Sequence, residues 1–237
     1  MTHFDTVEDY DSVIPKHITS YFLHKKVAII LEALQRSFDI GASLHGLDLG
    51  CGTGDIVNLL SEKLPHSHIT GLDNSKQMLS HATRKYQKRE FILGDIMDLP
   101  FPDNNFDFVV ATNSLHHLSN REEQLKVLSE VNRVLKQNTV FIINEMNTRN
   151  PTIWFYLKHI FPRFREFELG NEVHLNERLI KDTSFFYISN ITYYTFVPDI
   201  CPAFLFGLAK RIDTVLDRSP LSSMGCHLTI VATKRSS

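Results

Sequence analysis

The chain has 237 residues, 43% of them hydrophobic and 22% charged, with 25 Lys and Arg against 27 Asp and Glu for a formal net charge of -2. This length buries a full core in one domain with an appendage, and the lack of a basic excess argues against nucleic acid as a partner. Cys51, Cys201 and Cys226 are too few and too scattered for a zinc site or a disulfide framework, so no metal is expected and a reducing, cytoplasmic location is. The opening residues, MTHFDTVEDYDSV, are acidic and polar, unlike a secretory signal. No run approaches the roughly 18 apolar residues of a spanning helix. The apolar stretches 151–162 and 201–209 leave peripheral contact with a bilayer open, although packing on the core is their expected use.

Val27, Ile30, Leu31, Leu34 and Phe38 recur at helical spacing and predict an amphipathic helix. A strand over 44–49 runs straight into Gly50, Gly52 and Gly54, and a helix follows to Leu64, closed by Pro65. Glycine at these places lets the backbone turn sharply and approach a ligand closely, while the helix start supplies N–H donors. Next come a strand over 69–73, a helix opened by Asn74 or Ser75, a strand over 90–93 and an apolar strand over 106–112. Ser119 and Glu122 form a capping box for a helix to Leu135, and 139–144 is the next strand.

Alternation at this pitch predicts an α/β fold with a mostly parallel sheet covered on both faces. Ligands of such sheets bind outside the carboxyl ends of the strands. The last third breaks the pattern. Helices are expected over 151–161, 176–183 and 204–216, and strands over 185–197 and 227–233, forming a hairpin-like edge interrupted by a helical insert.

The glycine pattern is G-x-G-x-G. A dinucleotide fingerprint needs a further glycine where Asp55 stands, and that acid would repel a pyrophosphate. No Gly-Lys-Ser/Thr follows, which excludes a P-loop. With its downstream motifs the chain resembles the class I S-adenosylmethionine-dependent methyltransferases. The motifs are LDLGCGTGD (47–55), GLDNSKQML (71–79), GDIMDLPF (94–101) and FDFVVATNSLHHL (106–118), in order, with RVLK (133–136) before the fifth strand.

The resemblance implies a Rossmann-like seven-stranded sheet, mostly parallel, with helices on both faces, an antiparallel last strand and a helical insert or lid in the C-terminal third. The whole would be a single methyltransferase domain: a helical cap over 1–40, a cofactor-binding core over 41–147, and an acceptor lid with closing strands over 148–237. It also implies S-adenosyl-L-methionine as cofactor. Asp73 would accept from both ribose hydroxyls, a charge-assisted pair, with Asn74 beside it. Asp95 would accept from the adenine amino group, with Ile96 and Met97 flanking the ring. Gly50 and Gly52 would meet the methionyl part, with Cys51 and Thr53 completing the turn, and Asp48 would hold the loop or the ammonium. Asn113 would add a polar contact and Met78 would line the pocket.

Methyl transfer is an in-line displacement dominated by positioning, and a base is needed only where the acceptor must lose a proton. Glu145, His117 with its neighbour His116, and His174 in GNEVHL are the candidates, and His17 and Tyr21 could close over the cofactor. The last third carries Trp154, Phe155, Tyr156, Phe161, Phe164, Phe167, Phe185, Phe186, Tyr187, Tyr193, Tyr194 and Phe196, with Lys158, Arg163 and Arg165 interleaved. That composition suggests a small or lipid-like acceptor with an apolar body and a polar or anionic end. A non-catalytic binding protein that keeps the fold is the alternative. The sequence does not indicate an oligomeric state.

Overall fold

A computed structural model describes residues 15–155, 159, 177–197 and 201–236. The elements are α1 (Lys16–Ser37), β1 (His45–Leu49), α2 (Asp55–Lys63), β2 (His68–Asp73), α3 (Lys76–Lys85), β3 (Glu90–Leu93) and β4 (Phe106–Thr112). They continue with α4 (Arg121–Val134), β5 (Leu135–Met146), α5 (Pro151–Phe155), α6 (Glu177–Asp182), β6 (Phe186–Tyr194), α7 (Ala203–Asp217) and β7 (His227–Lys234). One seven-stranded sheet has the order β3-β2-β1-β4-β5-β7-β6. The first five strands pair in parallel, and β7 runs antiparallel to both β5 and β6. The expected fold class, with its antiparallel last strand, is what the sheet shows.

Side chains alternate across the pleat, so adjacent residues of the central strands serve opposite faces. Val109, Phe141 and Ile143 join Leu47 and Leu49 in a core covered by Val127, Leu128 and Val131 of α4. Phe108, Val110 and Ile142 belong to the other core, with Ile30 and Leu34 of α1 and Val57 and Leu60 of α2. Parallel strands buried on both faces read as continuous apolar runs, and 106–112 does so.

Several boundaries differ from the sequence reading. Helix α1 begins at Lys16, eleven residues before the first residue of the apolar pattern, because Ile18 anchors its first turns on Val197 and Cys201. Strand β5 begins at Leu135, directly after α4, with a register shift opposite Phe106 and Phe108. The cap of α4 is Asn120, whose side chain accepts from Glu123 N at 2.9 Å, while the Glu123 carboxylate reaches back to Ser119 N. The box is therefore one residue later than Ser119 and Glu122, since an Asn oxygen caps as well as Ser. Helix α3 is capped by Ser75, not Asn74.

The switch point of the sheet lies between β1 and β4, where successive crossovers leave in opposite directions, and the glycine turn sits there. Gly46 keeps β1 and β4 in contact, because a Cβ on it would stand 2.3 Å from Cζ of the Phe108 ring. Gly46→Ala should therefore cost about 2 kcal/mol through overpacking, read as a fall of roughly 4–8 °C in melting temperature. Adding Phe108→Leu should recover part of that loss, and strictly additive effects in the double-variant cycle would disprove the contact.

Candidate active site

The turn after β1 hangs on the end of β2. Gly50 N and Cys51 N both donate to the Leu72 carbonyl, at 2.8 and 3.0 Å, and Gly52 N donates to Asp73 Oδ2 at 2.8 Å. The other Asp73 oxygen accepts from Ser75 N at 2.9 Å, so this carboxylate ties the turn to the start of α3. Gly50 and Gly52 have φ of +69° and +50°, a region that side chains rarely adopt. A Cβ on Gly50 would also strike the Ser114 side chain at 2.5 Å, whereas one on Gly52 would meet no atom within 4 Å. Gly52 thus faces open space at the mouth of the turn.

Around this turn four buried polar atoms have no protein partner: both carboxylate oxygens of Asp48, Asn113 Oδ1 and Ser114 Oγ. Buried polar groups are nearly always satisfied, so a cluster of orphans marks a place that a ligand completes. Asp48 is 1% exposed. Burial, with the charge of Asp73 added, pushes its pKa up to about 7. Burial, with Asp48 and Asp73 beside it, raises the Cys51 thiol as well, so that sulfur is no nucleophile. Asn113 itself is left-handed, at φ +51°, and donates its N–H to the Asn144 carbonyl at 2.9 Å.

Asp55, where a dinucleotide site has glycine, accepts from Thr53 Oγ1, Lys85 Nζ and Tyr86 Oη at 2.6, 2.8 and 2.5 Å. Burial opposes its charge, but these three donors outweigh it and hold the pKa below the usual carboxylate range. The acid thus fastens the start of α2 to the end of α3.

Asp95 is exposed at the end of β3 and accepts from Met97 N at 2.8 Å, which shapes the loop carrying the partly buried Ile96 and Met97. Arg133 of α4 clamps that loop, donating to the carbonyls of Phe101 and Leu99 at 2.7 and 2.9 Å, while Glu130 accepts from Leu99 N. Position 133 was legible only as part of RVLK, not as this clamp. Asn74 is exposed and Met78 half-buried beside Asp73.

Of the proton-transfer candidates, Glu145 is 3% exposed and both its oxygens are engaged. One accepts from Leu115 N at 3.2 Å and the other meets His116 Nδ1 at 2.7 Å. It braces the short helical turn Leu115–His117, which leaves the His117 ring at the surface and 4.1 Å from that of His116. His174 lies outside the described residues, as do Tyr156, Phe161, Phe164, Phe167, Lys158, Arg163 and Arg165. Of the other aromatic residues, Phe186 and Tyr194 are buried, while Trp154 and Tyr187 are exposed.

His17 and Tyr21 face α7: His17 Nε2 meets the Cys201 carbonyl and Tyr21 Oη donates to Asp213 at 2.5 Å. Lys25 binds Asp213 and Asp217 from the same side. A second polar knot, not anticipated from sequence, links the end of β4 to β6 and β7. Tyr194 Oη and Thr229 Oγ1 both donate to Asn144 Oδ1, and Asn144 Nδ2 donates to Thr112 Oγ1. His227 stacks on Tyr194 at 5.7 Å with its Nδ1 unpartnered, and burial lowers its pKa to about 3.

A Rossmann-like sheet with a glycine turn at the switch point, an acid ending β2 and buried acceptors beside the turn is the architecture of the class I S-adenosylmethionine-dependent methyltransferases. Residues 47–143 match the family model of the methyltransferase domain. It is 42% identical to a demethylmenaquinone methyltransferase of Thermotoga maritima over 122 residues, 49% of this chain and 52% of that one. A demethylmenaquinone methyltransferase of Listeria welshimeri is 31% identical over 164 residues, 63% of this chain and 66% of that protein. The chain thus spans about half the length of the first relative and just under two thirds of the second. The crystal structure of an S-adenosylmethionine-dependent methyltransferase from Methanosarcina mazei superposes with a TM-score of 0.61 at 20% identity, covering 86% of this chain and 97% of that one. No helix among the described residues is long and apolar enough to cross a membrane.

The raised pKa of Asp48 has a consequence for stability. Between the ordinary carboxylate value of 3.8 and about 7, the folded chain keeps a proton that the unfolded chain has released. The stability this residue contributes is complete below pH 4 and is lost as pH rises through 7. Asp48→Asn should therefore melt higher than the parent at pH 8, by on the order of 4 kcal/mol, with the difference vanishing near pH 4. Parallel melting curves for the two proteins across this range would refute the assignment.

Proposed function

We propose that this chain binds S-adenosyl-L-methionine at the turn between β1 and α2 and transfers its methyl group to a small, lipid-like aromatic acceptor of the quinone type. The observation that carries the reading is the set of unpartnered buried acceptors, Asp48, Asn113 and Ser114, around a turn whose Gly52 opens onto empty space. An amino-acid ammonium is a cation with three donors, and it fits acceptors that a phosphate would not. The cofactor supplies a methyl group already activated by a sulfonium. That methyl would pass to the acceptor with its bond to sulfur given up, and a carbon acceptor would release a proton to a group of this chain.

The protein's part is chiefly to position the two reactants. Asp73, held by Gly52 N and Ser75 N, retains acceptor capacity for the ribose diol, with Asn74 and Met78 beside it. Asp95, Ile96 and Met97 bound the adenine end, and Gly50, Cys51 and Thr53 give the turn its shape. We assign the departing proton to His117. Desolvation of its ring, then the nearby His116, lowers its pKa, so it is neutral at pH 7 although part of the ring reaches solvent. Glu145 acts through His116 as a positioning residue. The acceptor class is supported by the names of the relatives and by the aromatic C-terminal third, whose His174 and neighbours would complete the acceptor side of the single domain.

Calorimetry with S-adenosylhomocysteine should give saturable binding that Asp73→Ala weakens by about 10- to 100-fold, the worth of one or two charge-assisted hydrogen bonds. Affinity should rise with pH up to about 7, as Asp48 ionises, and then level off. Labelled methyl should pass from the cofactor to a demethylmenaquinone-type quinol. His117→Ala should lower kcat by about 100-fold or more with cofactor affinity unchanged. Absence of cofactor binding would overturn the reading; binding without turnover would overturn the acceptor and favour a silent binding protein.

A further inference from the structure

Helix α7 presents two unlike faces. Its inner face carries Phe206 and Ala209, packed with Tyr21 and Phe22 of α1, and the fully buried Asp213. Its outer face carries Phe204, Leu208, Ile212 and Val215, spaced by four, four and three residues so that they form one stripe, with Leu205 at its edge. These are among the most exposed large apolar side chains described: Phe204 is 84% exposed, Val215 68% and Leu208 60%. The reading of 201–209 as core packing holds only for its inward half. Scattered exposed apolar residues are ordinary, but a continuous ridge along a helix marks an interaction surface.

The charges identify the partner. Both acids of the helix, Asp213 and Asp217, are drawn inward by Lys25. Lys210, Arg211 and Arg218 are exposed. At 100° per residue Arg211 and Arg218 fall directly beside the apolar stripe, on the side opposite Leu205. Among the described residues of the helix, the outer face is therefore an apolar ridge flanked by Arg211 and Arg218. Two copies of such a face would bring like charges together, whereas an anionic surface with an apolar interior satisfies both halves. Leu221 and Met224 in the turn that follows the helix are exposed as well, and Asn150 Nδ2, bonded to the Met224 carbonyl, ties that turn to the start of α5, which carries the exposed Trp154.

We propose that α7 is an interfacial docking helix for an anionic lipid bilayer, lying in the headgroup plane with Phe204, Leu208, Ile212 and Val215 inserted and Arg211 and Arg218 on lipid phosphates, while Lys210 turns over the inward Phe206 ring. The docking goes beyond the methyl-transfer reading and does not depend on it. Combined with that reading, it sets the carboxyl edge of the sheet beside the membrane from which an apolar acceptor would enter.

The full chain should float with vesicles of phosphatidylglycerol and phosphatidylcholine, and not with phosphatidylcholine alone, and added salt should weaken the binding. Leu208→Glu with Ile212→Glu should lower the bound-to-free ratio by about tenfold or more. Replacing Arg211 and Arg218 by Gln should lower it by about fivefold for each charge removed. A Val215→Trp variant made with Trp154→Phe provides a second readout, since its single-tryptophan emission should shift to the blue on adding anionic vesicles. The proposal is overturned if the parent binds neither vesicle, if the Glu and Gln variants bind as the parent does, or if the Val215→Trp emission does not move. A dimer dispersed by Leu208→Glu, with no vesicle binding, would assign the face to a second copy instead. Neither cofactor nor acceptor is needed, so failure here and failure of methyl transfer are separate results.

Discussion

The two oxygens of Asp73 accept from Gly52 N and Ser75 N, and through them one carboxylate ties the glycine turn at the switch point to the start of α3. The Leu72 carbonyl, accepting from Gly50 N and Cys51 N, supplies the second attachment. A turn with three left-handed glycines would otherwise sample many shapes, because glycine gives up more conformational freedom on folding than any other residue. Pinning it from β2 preorganises the backbone without filling the space in front of Gly52. The same arrangement leaves Asp48 buried and unpaired, which costs stability in the empty protein. Sites that must recognise a charge commonly retain this kind of expense.

The rest of the described molecule is organised to keep that edge of the sheet in place. Glu145 braces the turn after β4, Arg133 and Glu130 clamp the loop after β3, and Asp55 joins α2 to α3. Each of these is an ionisable group whose lone pairs or protons are largely engaged, the condition under which such a group is tolerated when buried or half-buried. On the other side, Lys25 holds α7 to α1 by its two acids. That pairing both seats the helix and strips its outer face of negative charge, so one electrostatic contact in the interior determines the character of a surface.

How much could be read beforehand differs from residue to residue for physical reasons. The glycine turn, the strands on either side and Asp73 at the end of β2 are local features, where spacing and residue type carry the chemistry. The cap of α4 falls one residue beyond the position that the sequence suggests, because Ser119 with Glu122 and Asn120 with Glu123 are both competent capping pairs and only the backbone decides between them. The first turns of α1 escaped notice because their apolar contact, Ile18 with Val197 and Cys201, joins distant parts of the chain. The Lys25–Asp213 pair, separated by 188 positions, and the Asn144 knot were invisible for the same reason.

The sequence by itself determined the class of fold, the order of its elements and the place of the glycine turn. These follow from hydrophobic periodicity and from glycine stereochemistry, which act over a few residues. Only the tertiary structure decided which acids are spent and which remain open. Asp55 and Glu145 are consumed by internal partners, Asp48 is left unpaired, and α7 turns its acids inward and its apolar stripe out. Those outcomes depend on burial and on contacts between segments far apart in the chain, and no local pattern encodes them.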